Sequence, residues 1–251
     1  MAFYEFPLHE GTRTMLRLEQ LFERLAVLSA RDAPIDHHFA LQSLFEIIDV
    51  ASRADLKSDL LKELERQRQQ LVGFRGDPRI SESALDEVLA RVEGARSLLM
   101  AQPGKAGQAL TTNDWLMSIR SRIAIPGGTC AFDLPAYFAW QQRDADQRRN
   151  DLSRWREAVL PLEAALQVLL GLVRDSGAPQ RVMAHGGQYQ QRLTEGKVYH
   201  LLRVRLDRYS PWVPEISGHR LMVSVRLMQP DAEGRLRAST EDAAFELALC
   251  G

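Results

Sequence analysis

The stretch LLRVRL at Leu201–Leu206 alternates leucine or valine with arginine. Successive side chains of a β-strand point to opposite faces of a sheet, so this period of two predicts a strand with one buried face. The same alternation recurs in residues 221–227 and 245–249, and prolines and glycines between these stretches mark turns. Residues 178–251 are therefore predicted to form an antiparallel β domain.

The residues before 178 show helical periodicity instead. Leu18, Phe22 and Leu25 recur at spacings of four and three, which predicts an amphipathic helix. Similar spacing occurs in residues 39–50, 56–71, 85–99, 115–122 and 136–142. The charged residues 143–151 are interpreted as a connection to a long last helix that ends at Arg174. Residues 1–177 are thus predicted to form a mainly α-helical domain, and the fold class is α+β.

Two segments of this helical part look extended. Residues 123–135 read IAIPGGTCAFDLP, in which a proline followed by two glycines predicts a sharp bend, either a buried crossing strand or a corner. Pro135 suits the first turn of the next helix, with Asp133 near enough to cap it. Residues 2–7 also look extended. We expect the segments 2–7 and 123–133 to return to the sheet and join the two domains.

Composition limits the classes of function. The chain has 251 residues, a formal net charge of -1 and an estimated pI of 6.6, so it lacks the global positive field of a general nucleic-acid binder. Its two cysteines, Cys130 and Cys250, are predicted to be buried free thiols and suit a reducing compartment. No signal peptide or membrane-spanning run is evident. We expect a cytoplasmic protein with no membrane insertion.

The sequence carries no motif with a strong catalytic mechanism. Asp36, His37 and His38 are neighbours on a predicted helix and therefore point in different directions, which disfavours a metal site. Ser217 and His219 lie two apart in a predicted turn and lack an orienting partner. We therefore predict no catalytic, cofactor or metal site, and no enzymatic activity.

Arginines are the more informative polar residues. Arg13, Arg17 and Arg24 lie along one helix face, and Arg120 and Arg122 directly precede the IAIPGG segment. Arg220 and Arg226 share parity in the predicted sheet. Arginine's planar fork favours carboxylates and protein interfaces, although a solvated helix flank explains the first stripe equally well.

Four parts of the chain, in order, carry a resemblance to a known family. They are LHEGTRTMLRLE (8–19), DLLKELERQRQQL (59–71), IRSRIAIPGGTCAFDLP (119–135), and EISGHR (215–220) followed by MVSVRLM (222–228). The chain resembles the ZapD family of bacterial cell division over essentially its full length. The resemblance implies a non-enzymatic cytoplasmic homodimer at midcell, without cofactors, which binds the C-terminal tail of the tubulin-like GTPase FtsZ and bundles its filaments.

The resemblance also assigns partner-binding positions. The family's basic positions correspond to Arg17, Arg53, Arg120, Arg122, Arg220 and Arg226. Two positions depart from the family pattern: Met222 replaces a basic residue, and Thr129 replaces a second cysteine beside Cys130.

The alternative function is a nucleic-acid-binding module that uses the same arginines. Trp115, Tyr137 and Trp140 could then stack on bases, although such aromatic residues more often anchor a core. The near-neutral net charge disfavours this alternative.

Overall fold

A computed structural model describes residues 1–52 and 55–251. Eight α-helices lie within these residues: α1 Glu10–Ser29, α2 Pro34–Ala51, α3 Leu56–Val72, α4 Glu82–Ala101, α5 Asp114–Ile123, α6 Pro135–Gln141, α7 Ala145–Glu157 and α8 Leu160–Asp175. Eight strands accompany them: β1 Ala2–Pro7, β2 Gln180–Ala184, β3 Gln188–Arg192, β4 Leu201–Leu206, β5 Val213–His219, β6 Met222–Pro230, β7 Leu236–Ala238 and β8 Ala243–Cys250. The predicted α+β class is confirmed.

The chain divides into two compact units. Met1–Leu16 and Leu170–Gly251 form one, called here the strand unit, and Arg17–Leu169 form the other, the helical unit. The predicted division into 1–177 and 178–251 differs from this one, because β1, the start of α1 and the end of α8 belong with the strands. The helical unit is therefore inserted between two parts of the strand unit along the chain.

The strand unit contains two antiparallel sheets. One has the order β1-β4-β8-β2, and the other has the order β3-β6-β5 with β7 also paired to β6. The predicted extended segment 2–7 is confirmed as β1, which pairs with β4 from Ala2 opposite Leu206 to Pro7 opposite Leu201. A strand from the beginning of the chain thus completes a sheet whose other strands lie in residues 180–250.

The apolar residues of the alternating patterns fill one core. Leu202 and Val204 of β4 lie in a single buried cluster with Val223 and Val225 of β6, so the cluster contains residues of both sheets. A second, smaller cluster joins Leu201 to Val173 of α8 and includes Leu16 of α1 at its margin. Strand β4 therefore has apolar contacts on both faces, which explains why Leu201 is buried next to Leu202.

The prediction that residues 123–133 form an extended segment is wrong. Ile123 ends α5, and the residues that follow form successive turns in which backbone N–H groups donate to carbonyls three residues earlier, as from Gly128 to Ile125. Gly127 has a φ of 69°, which an L side chain rarely adopts, so the proline and glycines close a corner and do not extend a strand. Pro135 begins α6 as predicted, but Asp133 bonds to Arg122 and caps no helix.

The predicted connection 143–151 is also wrong, because α7 occupies most of it. One of its charged residues, Arg148, is buried. The Arg148 guanidinium donates to the backbone carbonyls of Gln141, Arg143 and Asp32. Arg148 Nε also donates to Nδ1 of the buried His37 on α2, at 2.9 Å. Buried charge is tolerated here because its N–H groups find acceptors.

The same network fixes the protonation of His37. Nδ1 accepts the bond from Arg148, so the ring proton is on Nε2, which donates to the Arg31 carbonyl at 2.7 Å. Burial lowers the pKa of His37, and the charges of Arg148 and Arg149 lower it further, against the opposing effects of the Arg31 carbonyl and Asp36. The neutral imidazole is thus the form that holds α2 to α7.

We expect the free energy of unfolding to fall as the pH drops below about 6.5, the usual histidine pKa. The lowered pKa means that the unfolded chain binds the proton more tightly, so His37 contributes fully above that pH and its contribution is lost on acidification. His38, whose pKa burial also lowers, acts in the same direction. Denaturant titrations between pH 7.5 and about 5 would measure the slope.

The variant His37→Gln should show a smaller slope than the wild-type protein in the same titrations. His219→Gln removes an exposed imidazole at the end of β5 and serves as the matched control, with a wild-type slope expected. Equal slopes for all three proteins would contradict the assignment of His37 as an acid-sensitive contact.

Candidate partner-binding surface

The candidate arginines fall in both compact units. Arg17, Arg120 and Arg122 belong to the helical unit, and Arg220 and Arg226 belong to the strand unit. Arg53 lies outside the described residues. Each group is therefore described within its own unit.

Arg17 is the most available arginine of the α1 stripe. Arg13 pairs with Glu10 of its own helix at 3.2 Å, and Arg24 donates to Ser43 at 2.8 Å and pairs with Glu46 of α2. Arg17 is exposed and forms no ion pair with residues 1–52 or 55–251. Of the three arginines in the predicted stripe, Arg13 and Arg24 are thus in ion pairs, and Arg17 has none among the described residues.

Arg120 and Arg122 occupy the last turn of α5, where cations interact favourably with the helix dipole. Two residues apart on a helix, they point to different neighbours. Arg120 pairs with Asp49 of α2, and Nη1 of Arg122 lies 3.2 Å from Oδ1 of Asp133 in the turn before α6. Arg122 is the more exposed of the two, and its guanidinium forms a single hydrogen bond within the described part of the chain.

Arg220 and Arg226 are not neighbours along their hairpin. Arg220 lies in the two-residue loop between β5 and β6, since His219 pairs with Met222 across it. Arg226 lies four residues beyond Met222, about 13 Å along the strand, and its Nη1 is 3.5 Å from Oε2 of Glu215 on β5. The predicted shared parity on one strand is therefore wrong for Arg220, which is exposed at the hairpin tip.

Four aromatic residues of the helical unit pack together in one cluster. Trp115 stacks on Trp155 with ring centroids 5.3 Å apart, and Tyr137 stacks on Trp140 at 5.8 Å. Tyr137, Trp140 and Trp155 are buried, and Trp140 Nε1 donates to Asp151 at 3.0 Å. The interpretation as core anchors is confirmed for Tyr137 and Trp140, whereas Trp115 is partly buried and packs against them and Trp155.

Sequence reasoning missed an apolar surface beside Arg122. Ile125 and Phe132 lie in the turns between α5 and α6, and their side chains are 49% and 84% exposed. The letters AFDLP carry no signal for this exposure, because a phenylalanine is ordinarily expected to be buried. Cys130, in the same segment, is exposed and not buried as predicted, whereas Cys250 is buried.

The other polar groups have structural contacts. Nδ1 of His38 lies 2.8 Å from the Tyr137 hydroxyl, and Nδ1 of His219 accepts from the Leu221 N–H in the β5–β6 hairpin. Among residues 1–52 and 55–251, no group of three or more His, Cys, Asp or Glu side chains is arranged to hold a metal ion. None of the helices in the described ranges is long and apolar enough to cross a membrane.

Comparison with known proteins identifies the family. A family model named ZapD and described as a cell division protein matches residues 16–226. The chain belongs to the ZapD family. Two curated relatives named Cell division protein ZapD, from Ralstonia pickettii and Ralstonia nicotianae, are each 51% identical to it over 251 residues, covering 100% of this chain and 99% of the relative.

A third relative of the same name, from Cupriavidus pinatubonensis, is 49% identical over 251 residues, again covering 100% of this chain and 99% of its own length. The ZapD match extends over the whole helical unit and reaches into β6, so it includes the positions of Arg17, Arg122 and Arg226. Membership of the ZapD family supports a role in cell division.

Proposed function

We propose that this chain binds FtsZ through the C-terminal tail of that GTPase and cross-links its filaments at midcell, in the cytoplasm, as a non-enzymatic factor. The observation that carries the proposal is the ZapD match over residues 16–226, joined with exposed arginines at family positions. Arg17 and Arg220 form no ion pair within the described ranges, so neither must break an internal contact to bind a carboxylate.

An arginine surface suits a short tail of mixed acidic and apolar character. Each exposed contact is weak, because a charge pair at the rim of an interface contributes little to the binding free energy. A desolvated charge pair matters more, at about 2 to 5 kcal/mol. A polymer presents many tails in a row, so avidity raises the overall strength without tight single contacts. Arg120, Arg122 and Arg226 already pair with Asp49, Asp133 and Glu215 and must share their guanidinium groups with the tail, whereas Arg17 and Arg220 need not.

Cross-linking requires at least two tail-binding sites in one assembly. A homodimer supplies them by two-fold symmetry, because each protomer carries the same surface. We expect sedimentation equilibrium to give a mass twice the 28.4 kDa of the chain at micromolar concentration. A monomer mass throughout the range in which bundling is observed would contradict this mode of cross-linking.

The partner and the docking mode can be tested together. Polymerised FtsZ should carry this protein into the pellet at physiological salt, and FtsZ without its C-terminal tail should leave it in the supernatant. Filaments seen by negative-stain electron microscopy should be bundled only in the first mixture. Failure to co-pellet with either form of FtsZ would refute the proposed partner.

Charge reversal tests the surface itself. Arg17→Glu with Arg122→Glu should abolish co-pelleting, and either change alone should weaken it, because a carboxylate would then face the acidic tail. Arg226→Glu should weaken it too, but that change also places two carboxylates opposite each other through Glu215, so its effect is less specific. Arg91→Glu, at an exposed position of α4, is the matched control and should pellet like the wild type.

Unchanged pelleting by the variants at Arg17, Arg122 and Arg226 would exclude these arginines as contacts of the tail. Loss of pelleting by Arg91→Glu as well would show only that added negative charge repels the filament.

A further inference from the structure

The residues that follow Arg122 expose apolar side chains on an ordered backbone. The α5–α6 turn, residues 124–134, contains Ile125 and Phe132, whose side chains are 49% and 84% exposed. Single exposed apolar side chains are common, but two within one short turn beside a cation are more informative, and Phe132 is the most exposed phenylalanine of the described residues. The turn therefore presents two apolar side chains whose exposure is not explained by packing within the protein.

Hydrogen bonds hold this turn in place. The N–H of Ile125 donates to the Arg122 carbonyl at 2.9 Å, and the N–H groups of Asp133 and Leu134 both donate to the Cys130 carbonyl, at 3.0 and 2.9 Å. Gly128 is buried, and a methyl group in its place would lie 2.7 Å from the Arg122 carbonyl oxygen and 2.8 Å from Cβ of Ile125. A backbone packed this closely presents its side chains with little entropy left to lose on binding.

Arg122 is connected to this turn through both its backbone and its side chain. Ile125 is bonded to its carbonyl, and Phe132 directly precedes Asp133, whose carboxylate lies 3.2 Å from the guanidinium. The side chain of Arg122 is 47% exposed and its guanidinium has five N–H donors. It can therefore donate to a second carboxylate while it remains paired with Asp133. One cation and two exposed apolar side chains are thus carried by the same hydrogen-bonded turn of the helical unit.

We propose that Ile125 and Phe132 bind an apolar side chain of an acidic peptide whose carboxylate is held by Arg122. This inference rests on the proposed function, in which the peptide is the C-terminal tail of FtsZ. The surface carries a cation beside apolar groups, which complements a tail of mixed acidic and apolar character. Two side chains offer roughly 200 to 300 Å², which fits a short peptide and is far below the roughly 800 Å² per partner of a stable protein dimer.

The test measures fluorescence anisotropy of a labelled synthetic peptide with the sequence of the FtsZ C-terminal tail. We expect Phe132→Ser to weaken binding about tenfold and Ile125→Ser about fivefold, because each removes an apolar contact formed only in the complex. Phe74→Ser is the matched control: Phe74 is 47% exposed in the turn after α3, and this variant should bind within about twofold of wild type.

A second peptide, with its apolar side chains replaced by serine, separates direct contact from a structural effect. It should bind the wild-type protein more weakly, and Phe132→Ser should weaken it no further, since the contact is already absent. Arg122→Ala should flatten the salt dependence of binding to the original peptide, whereas Phe132→Ser should leave that dependence intact. Thermal midpoints of all variants should match the wild type because the changed side chains are exposed.

Three results would overturn the inference, and they differ in what they leave standing. Normal peptide binding by both Phe132→Ser and Ile125→Ser, with Arg122→Ala weakened, would remove the apolar contact and leave tail docking by arginine intact. Equal losses for both peptides in Phe132→Ser would make the effect structural. No binding of the original peptide by the wild-type protein would refute tail docking, and the inference with it.

Discussion

The pairing of β1 with β4 is the constraint on which the strand unit depends. β4 lies between β1 and β8 in its sheet, and it has apolar contacts on both faces, to β6 through one cluster and to α8 through the other. Glu5 of β1 accepts two bonds from Arg174 at the end of α8, at 2.9 and 2.7 Å, and lies 3.0 Å from Arg203 of β4. A carboxylate shared by two guanidinium groups in a partly buried place gives this pairing a specific register as well as apolar contacts.

Sequence reasoning succeeded where one physical signal dominated. Period-two alternation found β4 and β6, and the three-and-four spacing of Leu18, Phe22 and Leu25 found the buried face of α1. It failed at the first half of α7, residues 145–151, because the buried side chain there is Arg148, and burial of a charge bonded to carbonyls leaves no hydrophobic period to detect. It failed at residues 123–133 because proline and paired glycines fix a bend without saying whether strand or turn surrounds it.

For the candidate arginines, the sequence shows which residue types are present but not which of them form ion pairs in the folded chain. Arg24, Arg120 and Arg226 resemble Arg17 and Arg220 in sequence, yet each of the first three pairs with a carboxylate from a different element. Such pairs depend on which helices or strands become neighbours, and local spacing does not contain that information. The exposure of Phe132 is likewise a property of the closed turn, since an apolar residue in an isolated sequence is expected to be buried.

The insertion of the helical unit within the strand unit has a consequence for the order of assembly on the ribosome. Residues 17–169 are synthesised before β4 and β8, so the helical unit is complete early. β1 is synthesised before all of them and has no strand to pair with until β4 emerges. At about 5 to 20 residues per second, β1 waits roughly 10 to 40 s for β4 to emerge. During that interval a strand with three aromatic residues, Phe3, Tyr4 and Phe6, is a nascent segment open to chaperones and to other unfolded chains.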